Sequence, residues 1–152
     1  MNRAHTVLLS AALLLAGCGP STPTAEVKVD PATEGWYAET TARLGKINHD
    51  AAFLIQNKRT DDAAALINAG IPMQARLLTA PRPTLEAMEA VADLDDLYGR
   101  MLVADGKWGS ARMLFQKNVT RWKSWKQKTP ETEERLKQAN DAIAECDKHM
   151  GA

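Results

Sequence analysis

The residues best suited to ligand chemistry in this chain form a run in which basic and aromatic side chains alternate. The run is Arg121-Trp122-Lys123-Ser124-Trp125-Lys126. Indole rings stack on bases or sugars and cations neutralise acidic groups, so this composition is typical of a surface for nucleic acid or an anionic glycan. Trp122 and Trp125 also continue an apolar helical stripe from Phe115, which favours core packing with lysine stems at its edge. Both interpretations of these two tryptophans stay open at this point.

The sequence contains no pattern that indicates catalysis or metal binding. His49 stands beside Asp50, but no serine or cysteine motif accompanies this pair as a nucleophile. His49 and His149 are far apart, and neither HxxxH nor CxxC spacing occurs. The acidic clusters Asp93/Asp95/Asp96 and Glu131/Glu133/Glu134 are more typical of solvated helix faces than of ion-binding sites. We therefore predict a protein that is not an enzyme and that uses no metal and no cofactor.

The first 17 residues have the layout of an export signal. Arg3 supplies a basic start, and an apolar run of about ten residues from Val7 to Ala16 follows, too short to cross a bilayer. The run ends in Leu15-Ala16-Gly17-Cys18, which resembles the lipobox of bacterial lipoproteins. This resemblance implies cleavage before Cys18 and lipid on Cys18, and therefore a membrane anchor. The alternative is an ordinary secretory signal with an incidental cysteine.

The residues after Cys18 indicate where such a lipoprotein would work. Gly19 follows the cysteine, where an aspartate would signal retention in the inner membrane. The resemblance thus implies a cell-envelope location, in the outer membrane facing the periplasm if the bacterium is Gram-negative. Residues 18–33 are rich in Pro, Ser and Thr, which predicts a flexible tether. The formal net charge is zero, and together with this location it argues against a nucleic-acid partner.

Residues 34–150 are predicted to form an all-α domain. Apolar residues recur at spacings of three and four, which is the period of an amphipathic helix. The predicted helices cover 34–56, 60–70 with Gly70 as a left-handed end, a short helix from 71 to the stop at Pro81-Arg82-Pro83, 84–104, 107–128 and 130–150. We expect an array of five to six helices in which the last one caps the others. Cys146 lies on the apolar face of that last helix and is expected to be a buried thiol, with an intermolecular disulfide as the alternative.

Part of this domain resembles the tetratricopeptide repeat. The residues that carry the resemblance are Asp95-x-x-Tyr98-Gly99-x-x-Leu102, followed by Gly106, Ala111 and Phe115. The resemblance implies a helical hairpin that turns at Gly106, with the other small and aromatic residues packed between its helices. Asp95, Asn118 and Lys123 stand where the motif has tryptophan, alanine and proline. An earlier pair of helices over 47–70 aligns 48 residues upstream, with Lys58 in place of the turn glycine.

The same resemblance suggests a binding surface. In this family the first helix of each pair lines a concave face, which would place Asn48, Gln56, Asp96 and Arg100 outward as contacts for a peptide or a partner helix. We therefore predict a membrane-anchored interaction or scaffold module with an envelope protein as its partner. The alternative is an envelope lipoprotein that binds glycan or lipid through a surface made by Trp122 and Trp125.

Overall fold

Five α-helices account for most of the computed structural model, which describes residues 29–151. A 3₁₀ helix at Pro31–Thr33 leads into α1 (Gly35–Gln56), α2 (Thr60–Leu77), α3 (Leu85–Ala104), α4 (Trp108–Ser124) and α5 (Pro130–Met150). No strand occurs within this range, so the predicted all-α fold is confirmed. Within the same range, no helix is both long and apolar enough to cross a bilayer. The predicted signal peptide, Cys18 and the first part of the predicted tether lie outside the described residues.

The folded body begins slightly earlier than the sequence indicated. Residues 31–33, predicted to end the tether, form the 3₁₀ helix, and the side chain of Asp30 accepts a hydrogen bond from the backbone N–H of Ala32 at 3.1 Å. Pro31 occupies the first position, where its missing N–H costs nothing. This short helix packs against α1, so the domain starts at about residue 30.

Helix α3 lies at the centre of the array and contacts α1, α2 and α4, while α5 packs on α4. Most of the buried apolar side chains belong to one cluster around α3, including Leu44, Ile67, Val91, Leu94 and Trp122. A second cluster, which includes Leu102, Ala111, Phe115 and Cys146, joins the far end of the α3–α4 hairpin to α5. The expectation of a central helix covered on more than one side is confirmed.

Side chains from three different helices hold one turn of α3. Asn48 on α1 donates to the carbonyl oxygen of Ala90 at 2.7 Å, Gln74 on α2 donates to that of Val91 at 3.1 Å, and Asn118 on α4 donates to that of Ala92 at 2.9 Å. Each carbonyl has a second lone pair free for this purpose beyond its bond within the helix. The small side chains of Ala90 and Ala92 let the neighbouring helices approach closely enough to make these bonds.

Helix α2 is one continuous helix, so the predicted break at Gly70 is wrong. Gly70 is buried, and a Cβ atom there would lie 3.0 Å from Leu94 Cδ1 and 3.1 Å from Leu44 Cδ1. The glycine therefore serves close packing of α2 against α1 and α3 and does not end the helix. Pro72 lies inside the helix on its exposed side. Buried Leu77 beyond it continues the face of Ile67, and this packing outweighs the local cost of the proline.

Helix α4 ends at Ser124, four residues before the predicted end at 128. Trp125 has an extended backbone with ψ of 124°, which stops the helix. The Lys128 ammonium then donates to the carbonyl oxygens of Trp122 at 2.6 Å and Lys123 at 3.1 Å, and so satisfies carbonyls that the helix end leaves without partners. Trp125 thereby leaves the buried stripe of α4.

Candidate functional site

The sequence predicts that Asn48 and Gln56 on α1, with Asp96 and Arg100 on α3, form a concave surface that contacts a partner. Asn48 is not available for such a contact. Asn48 is only 6% exposed, and its amide is bonded to α3, so the expectation that it points outward is wrong. Gln56 is exposed at the last position of α1, Arg100 is exposed on α3, and Asp96 on α3 is half-buried. The error arose because α1 and α3 pack directly on one another along this line.

The charges on this α1–α3 face largely neutralise one another. Arg100 Nε donates to Asp96 at 2.6 Å, and this hydrogen bond raises the pKa of the Arg100 guanidinium above its ordinary value. Asp93 accepts from Arg135 on α5 at 2.7 Å. A shallow groove of about 380 Å³ lies here, lined by Gly45, Asn48, His49, Ala52, Asp93, Asp96 and Leu97. Asp93 and Asp96 are held in ion pairs, whereas the buried amide oxygen of Asn48 has no hydrogen-bond donor among residues 29–151.

A larger groove, called here the α4 cleft, lies between the α2–α3 connection and one face of α4. Two adjoining cavities of about 530 and 440 Å³ form it, and they share Met88, Arg121 and Ser124. The α2–α3 side and the base contribute Leu78, Pro81, Arg82, Pro83 and Met88, and the α4 side contributes Met113, Gln116, Lys117, Thr120, Arg121, Ser124, Trp125, Lys126 and Gln127. The lining positions within α4, from Met113 to Ser124, recur at spacings of three and four and form a single helical face, and Trp125 to Gln127 follow the end of the helix.

Apolar side chains in the α4 cleft stay accessible to solvent. Met113 is 69% exposed and Leu78 is 50% exposed, on the two sides of the groove. Met88 lies at the base and is buried. Large apolar side chains that meet solvent on both walls of one groove are typical of a surface that another molecule covers.

The two tryptophans singled out from the sequence have different environments. Trp122 is 2% exposed within the main core, so its predicted place on a ligand surface is wrong and the packing interpretation is correct. Trp125 is partly buried and lines the α4 cleft. Its indole N–H is buried with no acceptor among residues 29–151, and such an unpaired donor costs about 1–3 kcal/mol. A ligand that carries an acceptor could remove that cost with a small movement of the ring.

The α4 cleft is strongly cationic. Arg82, Lys117, Arg121 and Lys126 line it, whereas no carboxylate of residues 29–151 does. Arg121 is engaged by buried Asp95 at 2.9 Å, but the other three form no ion pair with any residue in the described range. Residues 107–130 hold seven Lys or Arg and no Asp or Glu. This segregation of charge was the sequence signal for the site, and the zero net charge of the whole chain concealed it.

The other two tryptophans of the domain have packing partners, and its cysteine is buried. Trp36 packs under the Arg76 guanidinium at 4.0 Å, and Trp108 stacks on His149 with ring centroids 3.9 Å apart. Cys146 is fully buried and has no disulfide within the described part of the chain. Burial raises the pKa of this thiol, which keeps it protonated and unreactive. No group of three or more potential metal ligands occurs between residues 29 and 151.

Comparison with known proteins yields no relative for this chain. No protein family, no curated protein and no solved structure matches it. Function is therefore inferred from the α4 cleft and from the motif that precedes Cys18.

Proposed function

We propose that this chain is a lipid-anchored protein of the cell envelope that binds a protein partner and catalyses no reaction. The α4 cleft is the observation that carries the proposal. It combines exposed Met113 and Leu78 with three cations that form no ion pair within the described part of the chain. Apolar anchors within a charged rim are what protein recognition sites use, because the apolar groups supply affinity and the charges supply orientation.

The anchor is supported by the motif Leu15-Ala16-Gly17-Cys18. A cysteine that carries several acyl chains would hold the protein on a membrane stably, since one chain alone binds only reversibly. The Pro- and Ser-rich segment that follows would let the helical domain reach a partner at some distance from the lipid surface. In a Gram-negative bacterium we expect this to be the periplasmic side of the outer membrane.

Replacing the lipidated residue tests the anchor. Cys18→Ala should move the protein from the membrane fraction to the soluble fraction and should abolish the mass added by the acyl chains. Cys146→Ala is the matched control, because it removes the other cysteine and should leave both properties unchanged. A Cys18→Ala protein that stays in the membrane fraction with an unchanged mass would refute the anchor.

Affinity capture from envelope extracts tests the interaction. The full chain should recover the same protein in repeated experiments, and Met113→Glu should lose it because a charge then replaces the exposed apolar anchor. The double exchange Asp96→Arg with Arg100→Asp alters the α1–α3 face and keeps its ion pair, so it should retain the partner. Recovery of no specific protein by any of these chains would count against an interaction module.

A second candidate function is the binding of an envelope glycan or lipid, and the position of Trp125 in a cationic groove favours it. A chain with Trp36→Phe and Trp108→Phe retains Trp125 in the cleft and Trp122 in the core. If glycan or lipid is the ligand, adding lipopolysaccharide or peptidoglycan fragments should shift the tryptophan emission of this variant. An unchanged spectrum at saturating concentrations would leave protein binding as the function.

A further inference from the structure

We infer that the α4 cleft receives an acidic, amphipathic α-helix of the partner. This inference rests on the proposed function and specifies the kind of partner. Two features of the groove favour such a helix: its shape, and the arrangement of its apolar and cationic side chains.

The shape of the groove fits a helix. Leu78 and Pro81–Pro83 of the α2–α3 connection form one wall and α4 forms the other, and the channel between them is open above Met88. From Met113 to Ser124 the lining face of α4 runs for about 16 Å, or three turns of a helix. Amphipathic helices commonly bind in such channels, with anchors at positions i, i+3 or i+4 and i+7.

The chemistry of the groove selects an acidic helix. Leu78, Met88 and Met113 form an apolar strip that the apolar face of the incoming helix would cover. Arg82 and Lys126 stand at one end of the groove and Lys117 farther along it, so carboxylates that flank the apolar face would meet a cation over most of its length. The indole N–H of Trp125 is buried, and a small movement of the ring would let it donate to a carboxylate or a terminal carbonyl of the helix.

A flat anionic membrane surface fits the cleft less well. Met88 is only 6% exposed at the base, and the Trp125 nitrogen is buried, so a planar surface would reach neither of them. A membrane would contact the outer cations and the exposed tips of Leu78 and Met113, but it would not fill the groove above Met88. A helix enters the groove and covers both kinds of group.

Selection from a library of helical peptides, each four to five turns long and random in sequence, tests the inference. The target is the full chain held in neutral phosphatidylcholine nanodiscs. The selected peptides should carry apolar residues with helical spacing together with an excess of Asp and Glu, and they should compete with one another. Enrichment of basic or non-helical peptides, or of no peptide at all, would overturn the inference.

Charge-reversal variants locate the binding of a selected peptide. Lys117→Glu and Lys126→Glu should each weaken it about tenfold or more, since a like charge then faces the acidic helix. Lys123→Glu is the matched control on the same helix, because it changes the net charge equally but does not line the cleft. Equal weakening by all three variants would overturn the inference, because affinity would then follow net charge alone.

Two further outcomes separate this inference from the proposed function. Binding of the full chain to phosphatidylglycerol vesicles that is lost in Lys117→Glu would show that the cleft faces lipid, and it would overturn the helix assignment. A partner captured from envelope extracts that Met113→Glu and Lys117→Glu still bind would also overturn it, although the interaction function would stand. Absence of any captured partner would instead count against the proposed function itself.

Discussion

Asp95, Asn118 and Arg121 form a buried polar contact between α3 and α4. Arg121 donates to the Asp95 carboxylate at 2.9 Å and to the side-chain oxygen of Asn118, whose own amide bonds α3. Asp95 and Asn118 are two of the residues that depart from the tetratricopeptide motif. Arg121 bonds both of these side chains, so the structure couples the two positions.

Replacing Arg121 should therefore destabilise the domain. Arg121→Met leaves the Asp95 carboxylate, 4% exposed, without its cation, and we expect the free energy of unfolding to fall by about 3–5 kcal/mol. Adding Asp95→Leu to this variant removes the buried charge and should restore most of the loss. Urea denaturation measures both effects. A double variant no more stable than Arg121→Met would show that the ion pair is not what holds α3 to α4.

Lys58 adopts the left-handed conformation, with φ of 61°, at the position where the second hairpin has Gly106, with φ of 71°. The two residues stand 48 positions apart, as do buried Ala63 and Ala111. The alignment of the two hairpins therefore extends to the backbone of their turns. A lysine in this conformation pays a steric cost of about 1–2 kcal/mol that glycine avoids.

Lys58→Gly should stabilise the domain. Relief of the steric cost is partly offset by the greater chain entropy of glycine in the unfolded state, which leaves a net gain of up to about 1 kcal/mol. Asn57→Gly is the control, because Asn57 has φ of −89° and its side chain bonds the carbonyl oxygen of Phe53, so glycine there should destabilise. Thermal unfolding distinguishes the two, and a lower melting temperature for Lys58→Gly would contradict this account of the turn.

At the scale of elements, the α3–α4 hairpin depends on the contact of Gly99 with Phe115. A Cβ atom on Gly99 would lie 2.6 Å from Phe115 Cε1, closer than two carbon atoms can approach. Gly99→Ala should therefore lower the free energy of unfolding by about 1–3 kcal/mol through overpacking. Adding Phe115→Leu makes room for the methyl group, so a double-mutant cycle should show a positive coupling between the two sites. Strict additivity would mean that the two residues do not pack as described.

Helix boundaries mark the limit of what the sequence could predict at this scale. Periodic apolar spacing correctly identified α1, α3 and α5, because each has one continuous buried face. Gly70 and Pro72 indicated a break that does not occur, since tertiary packing of Gly70 and Leu77 outweighs their local preference. The end of α4 was missed because it depends on the hydrogen bonds that Lys128 makes to its last turn, which spacing does not reveal.

The candidate site was only partly predictable for a related reason. The basic neighbours of Trp125 mark it as a candidate in the sequence. The sequence does not show that Trp125 lies beyond the end of α4 while Trp122 stays inside the helix. The apolar side of the α4 cleft comes from Leu78 and the Pro81–Pro83 connection, which precede the first residue of α4 by 25 to 30 positions along the chain. Only the fold brings these segments together, with α3 between them.

At the scale of the whole molecule, positive and negative side chains are equal in number but lie on different parts of the surface. Positive charge gathers on α4 and the segment that follows it, while α3 and α5 carry most of the carboxylates near it. Several of those carboxylates are held by ion pairs, such as Asp147 with Arg112 at 2.6 Å, and they lie away from the cleft. The domain can therefore present a cationic surface although the net charge of the whole chain is zero.

Site-specific photocrosslinking in living cells tests the central claim, that the chain holds a protein partner in the α4 cleft, most directly. A photoreactive phenylalanine derivative replaces Lys117 in the cleft or, as the control, Lys123 on the same helix outside it. The account predicts one discrete protein adduct from position 117 in the membrane fraction, and none from position 123. An adduct of equal yield from both positions, or a lipid adduct at 117 with no protein adduct, would contradict it.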